Sequence, residues 1–214
     1  MNKSRSAADR NGSGAFLFTG FPGFIGARLL PRLLELKPDT RAHCLVQEKF
    51  MAAAGEARAE LEARHPHVRG RIGLTEGDIT VQGLGVPAKA ARDLQRSLTE
   101  AYHLAAVYDL AVRRDVGRLV NVEGTKNVLE FLEQAPRFDR LHYVSTAYVS
   151  GAARGTFRET DLDVGQGFKN HYEETKFQAE VEVARSRLPR TIYRPGIVVG
   201  DSKTGETGKF DGPY

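Results

Sequence analysis

Tyr172 and Lys176, in the run Tyr172-Glu173-Glu174-Thr175-Lys176, place a phenol and an ammonium four residues apart, on one face of a predicted helix. A free tyrosine has a pKa of about 10 and is a slow proton donor near neutrality. A fixed cation beside it favours the phenolate and brings the group into working range. The spacing is also common on half-exposed helix faces, so it gains meaning only from what surrounds it. Ser145 and Thr146 end an apolar run just upstream. A hydroxyl there would hydrogen-bond a substrate carbonyl oxygen beside the phenol, although such hydroxyls also serve ordinary turn chemistry. The third feature is Thr19-Gly20-Phe21-Pro22-Gly23-Phe24-Ile25-Gly26, set between a short apolar run and an amphipathic one. Small residues let the backbone turn tightly and approach a pyrophosphate, whose charge meets the positive end of the following helix. The spacing is GxxGxxG rather than GxGxxG, and its place between strand and helix marks a nucleotide loop.

These groups need a scaffold that gathers them at one edge. From Ala15 onward, β-type runs alternate with helical patterns: residues 15–19, 42–46, 71–75, 101–104, 141–144 and 191–193 read as six strands. Between them, Ile25, Leu29, Leu30, Leu33 and Leu34 keep a helical period. So do Val116, Leu119, Val120, Val128, Leu129 and Leu132, while residues 51–64 and 172–187 complete the main helices. The alternation predicts an α/β fold, a doubly wound parallel sheet of the Rossmann type with strand order 3-2-1-4-5-6 and ligands at the carboxyl ends of the strands. Residues 151–169 form the one long irregular stretch, and a loop of that length is usually functional.

At the end of strand two, a carboxylate would bind the adenosine ribose of NAD and a cation the 2′-phosphate of NADP. Gln47-Glu48-Lys49 supplies both signs there, and Glu48 and Lys49 are equally read as the solvated start of the next helix. Gly77-Asp78-Ile79, past strand three, offers a carboxylate acceptor to an adenine amino group, or a plain turn.

The 214 residues suit one domain, and 41% hydrophobic with 27% charged residues is the balance of a folded globular chain. Of the net charge of +4, an excess of +2 lies in the first fourteen residues, Lys3, Arg5 and Arg10 against Asp9, so a nucleic-acid face is not expected. Absence of an apolar signal segment or membrane span predicts a cytoplasmic protein. The single cysteine, Cys44, sits in an apolar run as a buried thiol with no internal partner. His65 and His67, two apart near a helix end, do not share a face, and no metal site is expected. The division read from the chain is a flexible tail over 1–14, a nucleotide-binding and catalytic domain over 15–200, and over 201–214 the start of a substrate-binding region that stops short.

The runs TGFPGFIG, HLAA (103–106), NVEGTKNVLEFL (121–132), YVSTAYVSG (143–151), YEETK and YRPGIVVG (193–200) stand in the order seen in extended short-chain dehydrogenases/reductases, and the chain resembles that superfamily over residues 15 to 214. Within it, VVGDSKTGETGKFDGPY (198–214) is most similar to the fatty acyl-CoA reductase and thioester reductase branch. The resemblance implies that Thr146 is the triad hydroxyl, with Ser145 the lesser candidate, and that Tyr172 is the general acid. Lys176 would hold the nicotinamide ribose and tune the phenol. Gly20, Gly23 and Gly26, with Thr19, Phe21, Phe24 and Ile25, would form the pyrophosphate loop. Leu104, Ala105 and Ala106 would line the cofactor, and Arg194-Pro195 would lie near the nicotinamide. Asn121 matches a proton-relay position, which a buried asparagine bonding the backbone explains equally well. Reductase-branch relatives often carry arginine where Gln47 stands.

The implied activity is NAD(P)H-dependent reduction of an acyl thioester, on CoA or a carrier protein, with NADP(H) favoured and NAD(H) the alternative. Rival readings are a nucleotide-sugar epimerase or dehydratase, a hydroxysteroid-type dehydrogenase, and a cofactor-binding module without turnover.

Overall fold

The structure is a computed structural model that describes residues 14–205 and Thr207. The tail expected over 1–14 lies almost wholly outside these residues, as does most of the segment 201–214.

Six strands form one parallel sheet: β1 (Ala15–Thr19), β2 (Arg41–Val46), β3 (Ile72–Glu76), β4 (Leu98–His103), β5 (Arg140–Val144) and β6 (Arg190–Tyr193), in the order β3-β2-β1-β4-β5-β6. This is the expected doubly wound order. The central strand AFLFT is buried at every position, as a strand covered on both faces must be.

One face is covered by α1 (Phe24–Leu36) and α2 (Met51–Arg64), with Phe16, Phe18, Leu30, Leu34, Cys44 and Leu61 in a single apolar layer. Burial pushes the Cys44 thiol up to about 12, so it behaves as a small apolar side chain. The other face is covered by α3 (Ala88–Ser97), α5 (Gly124–Glu133) and α6 (His171–Arg185), with Leu94, Val128, Leu132, Ala179 and Val183 packed on Leu17, Leu98 and Leu141.

Several boundaries differ from the sequence reading. Helix α3 was not expected: AKAARDLQRS buries only Leu94 and Gln95, and its amphipathic character comes from where its charged residues fall, with Leu94 its one large apolar side chain. Strand β4 starts at Leu98, three residues early, since Glu100 pairs with Phe16 of β1 and Thr99, at a register shift between the two pairs, donates its hydroxyl to the Ala15 carbonyl at 3.3 Å. The helix expected from Val116 begins with α4 (Arg114–Gly117) and runs into α5 through a π-helical stretch, Arg118–Glu123. Helix α6 is capped by Asn170, whose Oδ1 accepts the Glu173 N–H at 2.9 Å, while Glu173 Oε2 reaches past the cap to accept the Lys169 N–H at 3.0 Å.

His67 Nε2 lies 3.0 Å from the Pro31 carbonyl, which gives that ring a structural partner. Among the described residues, no helix is long and apolar enough to cross a membrane.

Candidate functional site

Strand order reverses between β1 and β4, and the glycine loop leaves β1 at that point. Gly20 has φ of +91°, and a Cβ there would lie 2.9 Å from the Leu104 Cβ and 3.0 Å from the Ala105 nitrogen. Gly20 is therefore required twice, for a left-handed turn and for close approach to the segment after β4. Gly23 and Gly26 serve the loop itself: added Cβ atoms would lie 2.8 and 2.6 Å from the Gly20 carbonyl oxygen, which accepts the Gly23 N–H at 2.9 Å. Helix α1 then begins with no side-chain cap and no acidic residue in its first turn. Its leading N–H groups remain for an anion, so this cradle fits a pyrophosphate. Phe24 and Ile25 stand half-buried in that turn, but the Phe21 side chain is buried in the layer beneath α1. Of the expected loop contacts, Phe21 can offer only its backbone, because its ring is apolar packing.

Thr19 explains how this edge is held. Its Oγ1 accepts the N–H groups of Leu104 and Ala105, both at 3.1 Å, so its proton goes to His103 Nδ1 at 2.7 Å. The ring proton of His103 then sits on Nε2 and is donated to Thr125 Oγ1 at 3.1 Å, while Thr125 donates to the Asn121 carbonyl at 2.6 Å. Burial, aided by the nearby Lys176 cation, depresses His103 to about 3, so the ring is neutral and the chain of bonds has one direction. Ala106 follows in the same half-buried segment after β4.

Asn121, in the π-helical stretch, accepts the Val107 N–H at 2.9 Å. It donates to the Val107 carbonyl and to Thr175 Oγ1, both at 3.1 Å. All its polar atoms are engaged in joining the segment after β4 to α6, which is the backbone-bonding reading. The π turn supplies the rotation that carries this side chain inward.

At the ends of β2 and β3, Gln47 Nε2 donates to Asp78 Oδ2 at 2.8 Å, and Asp78 Oδ1 accepts from the Thr80 N–H and hydroxyl at 2.8 Å each. Those bonds, with the Lys49 charge, hold the Asp78 carboxyl below its ordinary value despite its partial burial. Two residues read separately from the sequence are thus one hydrogen-bonded unit. Lys49 Nζ sits 4.9 Å over the Phe50 ring. The Ile79 side chain packs in the core against Gly124, where a Cβ would lie 2.8 Å away, and its carbonyl accepts from Asn127 Nδ2 at 2.8 Å, so a cofactor could meet only its backbone N–H.

Thr146 lies two residues past β5, in extended backbone, and caps the 3-10 turn Ala147–Ser150. Its Oγ1 accepts the Tyr148 N–H at 3.2 Å, which leaves its proton for donation. Ser145, by contrast, donates its hydroxyl proton to Glu180 Oε2 and is committed to that carboxylate. Tyr172 stands half-buried in the first turn of α6. One turn on, Lys176 is 3% exposed and donates to the Val144 carbonyl at 2.9 Å and to the Tyr143 hydroxyl at 3.2 Å. These bonds engage two of its three N–H groups. Burial lowers Lys176 to about 8, and the Glu180 charge opposes that shift.

Arg194, expected near the nicotinamide, has its guanidinium engaged within the protein. Its guanidinium pairs with buried Glu180, Nη2 to Oε1 at 2.6 Å and Nε to Oε1 at 3.0 Å, because a carboxylate in that position requires a cation. Pro195 follows, and its carbonyl accepts the Ala147 N–H at 2.9 Å beside Thr146. Glu180 itself was missed, although Tyr172, Lys176 and Glu180 recur every fourth residue on one helix stripe, and a carboxylate on that stripe was a readable signal.

The NAD-binding family described as Male sterility protein matches residues 18–214. The chain is 26% identical to the fatty acyl-CoA reductase wat of Drosophila melanogaster, over 94% of this chain and 46% of that protein. It is 31% identical to the isonitrile lipopeptide synthase of Streptomyces coeruleorubidus, over 91% of this chain and 14% of that protein. Among solved structures, the terminal R domain from the myxalamid PKS-NRPS biosynthetic pathway superposes with a TM-score of 0.81 at 32% identity, covering 92% of this chain and 52% of that one. The chain thus spans about half the length of the fly reductase and of the R domain, and a small part of the synthase. With the match running from the first strand through the glycine cradle and the Tyr172–Lys176 helix, the chain belongs to the NAD-binding family of male sterility proteins.

Proposed function

We propose that this chain is the nucleotide-binding and catalytic portion of an NAD(P)H-dependent oxidoreductase that reduces an acyl thioester, carried on CoA or on a carrier protein, to an aldehyde or alcohol. The observation that carries the reading is that Lys176, one turn past Tyr172 on α6, donates to the Val144 carbonyl at the carboxyl end of β5, two residues before Thr146 and one strand over from the β1–β4 switch point with its glycine cradle. Relatives named as a fatty acyl-CoA reductase and as a terminal R domain support the thioester as substrate.

A reduced nicotinamide, when bound, supplies the hydride. This chain's residues do the rest. The Thr146 hydroxyl donates to the thioester carbonyl oxygen, and Tyr172 donates beside it, so charge developing on that oxygen is stabilised where it forms. Lys176 offers its remaining N–H to the ribose and holds positive charge near the phenol. Loss of the thiolate, protonated by solvent, leaves the aldehyde. We favour NADP(H), because neutral Gln47 occupies the position where a carboxylate would bind the ribose of NAD, and the Lys49 cation lies near.

The test is direct. Purified protein incubated with NADPH and a long-chain acyl-CoA should oxidise NADPH and release free thiol and aldehyde, and a UDP-sugar in parallel should give no product. Turnover of the UDP-sugar with none of the thioester would overturn the reading. Tight NADPH binding with no turnover of either would favour the module without catalysis.

A further inference from the structure

Glu180 is 1% exposed, one turn beyond Lys176 on α6. Its carboxylate accepts from Ser145 Oγ and from Nε and Nη2 of Arg194. Arg194 continues outward: Nη1 donates to the Arg158 carbonyl at 3.1 Å, Nη2 to the Asp161 carbonyl at 2.7 Å, and the guanidinium stands 5.5 Å from the Phe157 ring centre. One buried carboxylate therefore ties the residue before Thr146, the end of β6, and residues 157–161 of the long loop between Thr146 and Tyr172. Desolvation offsets most of the attraction in a buried ion pair, so stability alone is a weak reason to build one. Geometry is a better reason, because the anion removes one of two adjacent hydroxyls from competition and fixes a loop that has little apolar packing of its own.

We propose that Glu180 is a positioning residue of the site: it holds the Ser145 hydroxyl so that Thr146 alone presents a free O–H just past β5, and through Arg194 it pins residues 157–161 of the loop that runs from Thr146 to Tyr172. The catalytic consequence rests on the reductase reading; the pinning does not. Glu180 acts through Ser145 and Arg194 and does not touch substrate.

Hydrogen–deuterium exchange on the purified chain reads the pinning directly. Glu180→Gln should speed exchange over residues 152–163 by about tenfold, since the loop opens locally once its anchor is lost. Affinity for NADPH should stay within about threefold, because the glycine cradle lies on β1 and α1, and turnover should fall about tenfold or more in kcat with KM for the thioester little changed. Should the lone substitution fail to fold with Arg194 left unpaired, the double variant Glu180→Gln with Arg194→Met removes both charges and should show the same loosened loop and reduced kcat. A folded variant with wild-type exchange and wild-type kcat overturns the proposal, as does one that loses NADPH affinity and kcat in equal measure, the mark of general damage. If the unaltered protein shows no turnover, the reductase reading falls, and exchange over 152–163 still decides whether Glu180 pins the loop.

Discussion

The ammonium of Lys176 stands 4.7 Å from the centre of the Tyr143 ring and 3.2 Å from its hydroxyl, so the cation sits on a second, fully buried tyrosine of β5. Burial pushes the Tyr143 phenol well above its ordinary value, which keeps it neutral and suited to accept from Lys176. Tyr143→Phe keeps the ring and removes one acceptor. It should cost about 1–3 kcal/mol in denaturant unfolding, the usual range for leaving a buried donor short of a partner. Unchanged stability would show that the hydroxyl contact carries no weight.

Lys176 also sets an expected pH dependence. Its value is lowered by burial from 10.5 to about 8, so between those limits the unfolded chain binds a proton that the folded chain does not. Stability from this group therefore rises with pH across the window from 8 to 10.5, and the cost of burying the cation is present in full below pH 8. Turnover should move the other way, falling above pH 8 as the cation is lost. Urea titrations from pH 8 to 10 should show a rise that Lys176→Met abolishes, and a flat difference between the two proteins would refute the assignment.

The glycines separate into kinds. Gly26→Ala would push a Cβ into the Gly20 carbonyl, at 2.6 Å, and should lower the melting temperature and abolish NADPH binding by calorimetry. Gly55, inside α2, meets nothing within 4 Å, and Gly55→Ala should stabilise by about 0.5–1 kcal/mol through helix propensity alone, leaving cofactor affinity unchanged.

The two hydroxyls just past β5 predict unequal losses. Tyr172→Phe should cost ~10²–10⁴-fold in thioester turnover with cofactor affinity near normal, as expected when a positioned general acid is removed. Thr146→Ala should also lower kcat, and Ser145→Ala less, since the Ser145 proton is already given to Glu180. A larger loss for Ser145→Ala would move the oxyanion contact to that residue.

Cofactor choice has its own test. Lys49→Ala should weaken NADPH more than NADH in side-by-side titrations. Gln47→Glu would set a second carboxylate against Asp78, where 2.8 Å now separates amide nitrogen from oxygen, and should weaken both cofactors. Equal effects of Lys49→Ala on the two would remove that residue from the site.

By itself the sequence determined the sheet order, the place of the glycine loop and the helix that bears Tyr172 and Lys176. Each of these is written in local signals: β-type runs bounded by turns, a 3.6-residue apolar period, and small residues at a strand–helix junction. Helix α3 escaped because its period is written in charged residues and alanines, with Leu94 the one large apolar side chain, and the π turn escaped because its signature is hydrogen bonding. What only the tertiary structure decided is which polar groups meet. Thr19 with His103, Gln47 with Asp78, Ser145 with Glu180 and Asn121 with Thr175 join residues 84, 31, 35 and 54 positions apart. No periodicity encodes such pairs. They follow from the parallel order of the strands, which brings distant strand ends to one edge, and from the cost of burying a polar group without a partner, which selects the pairings made there.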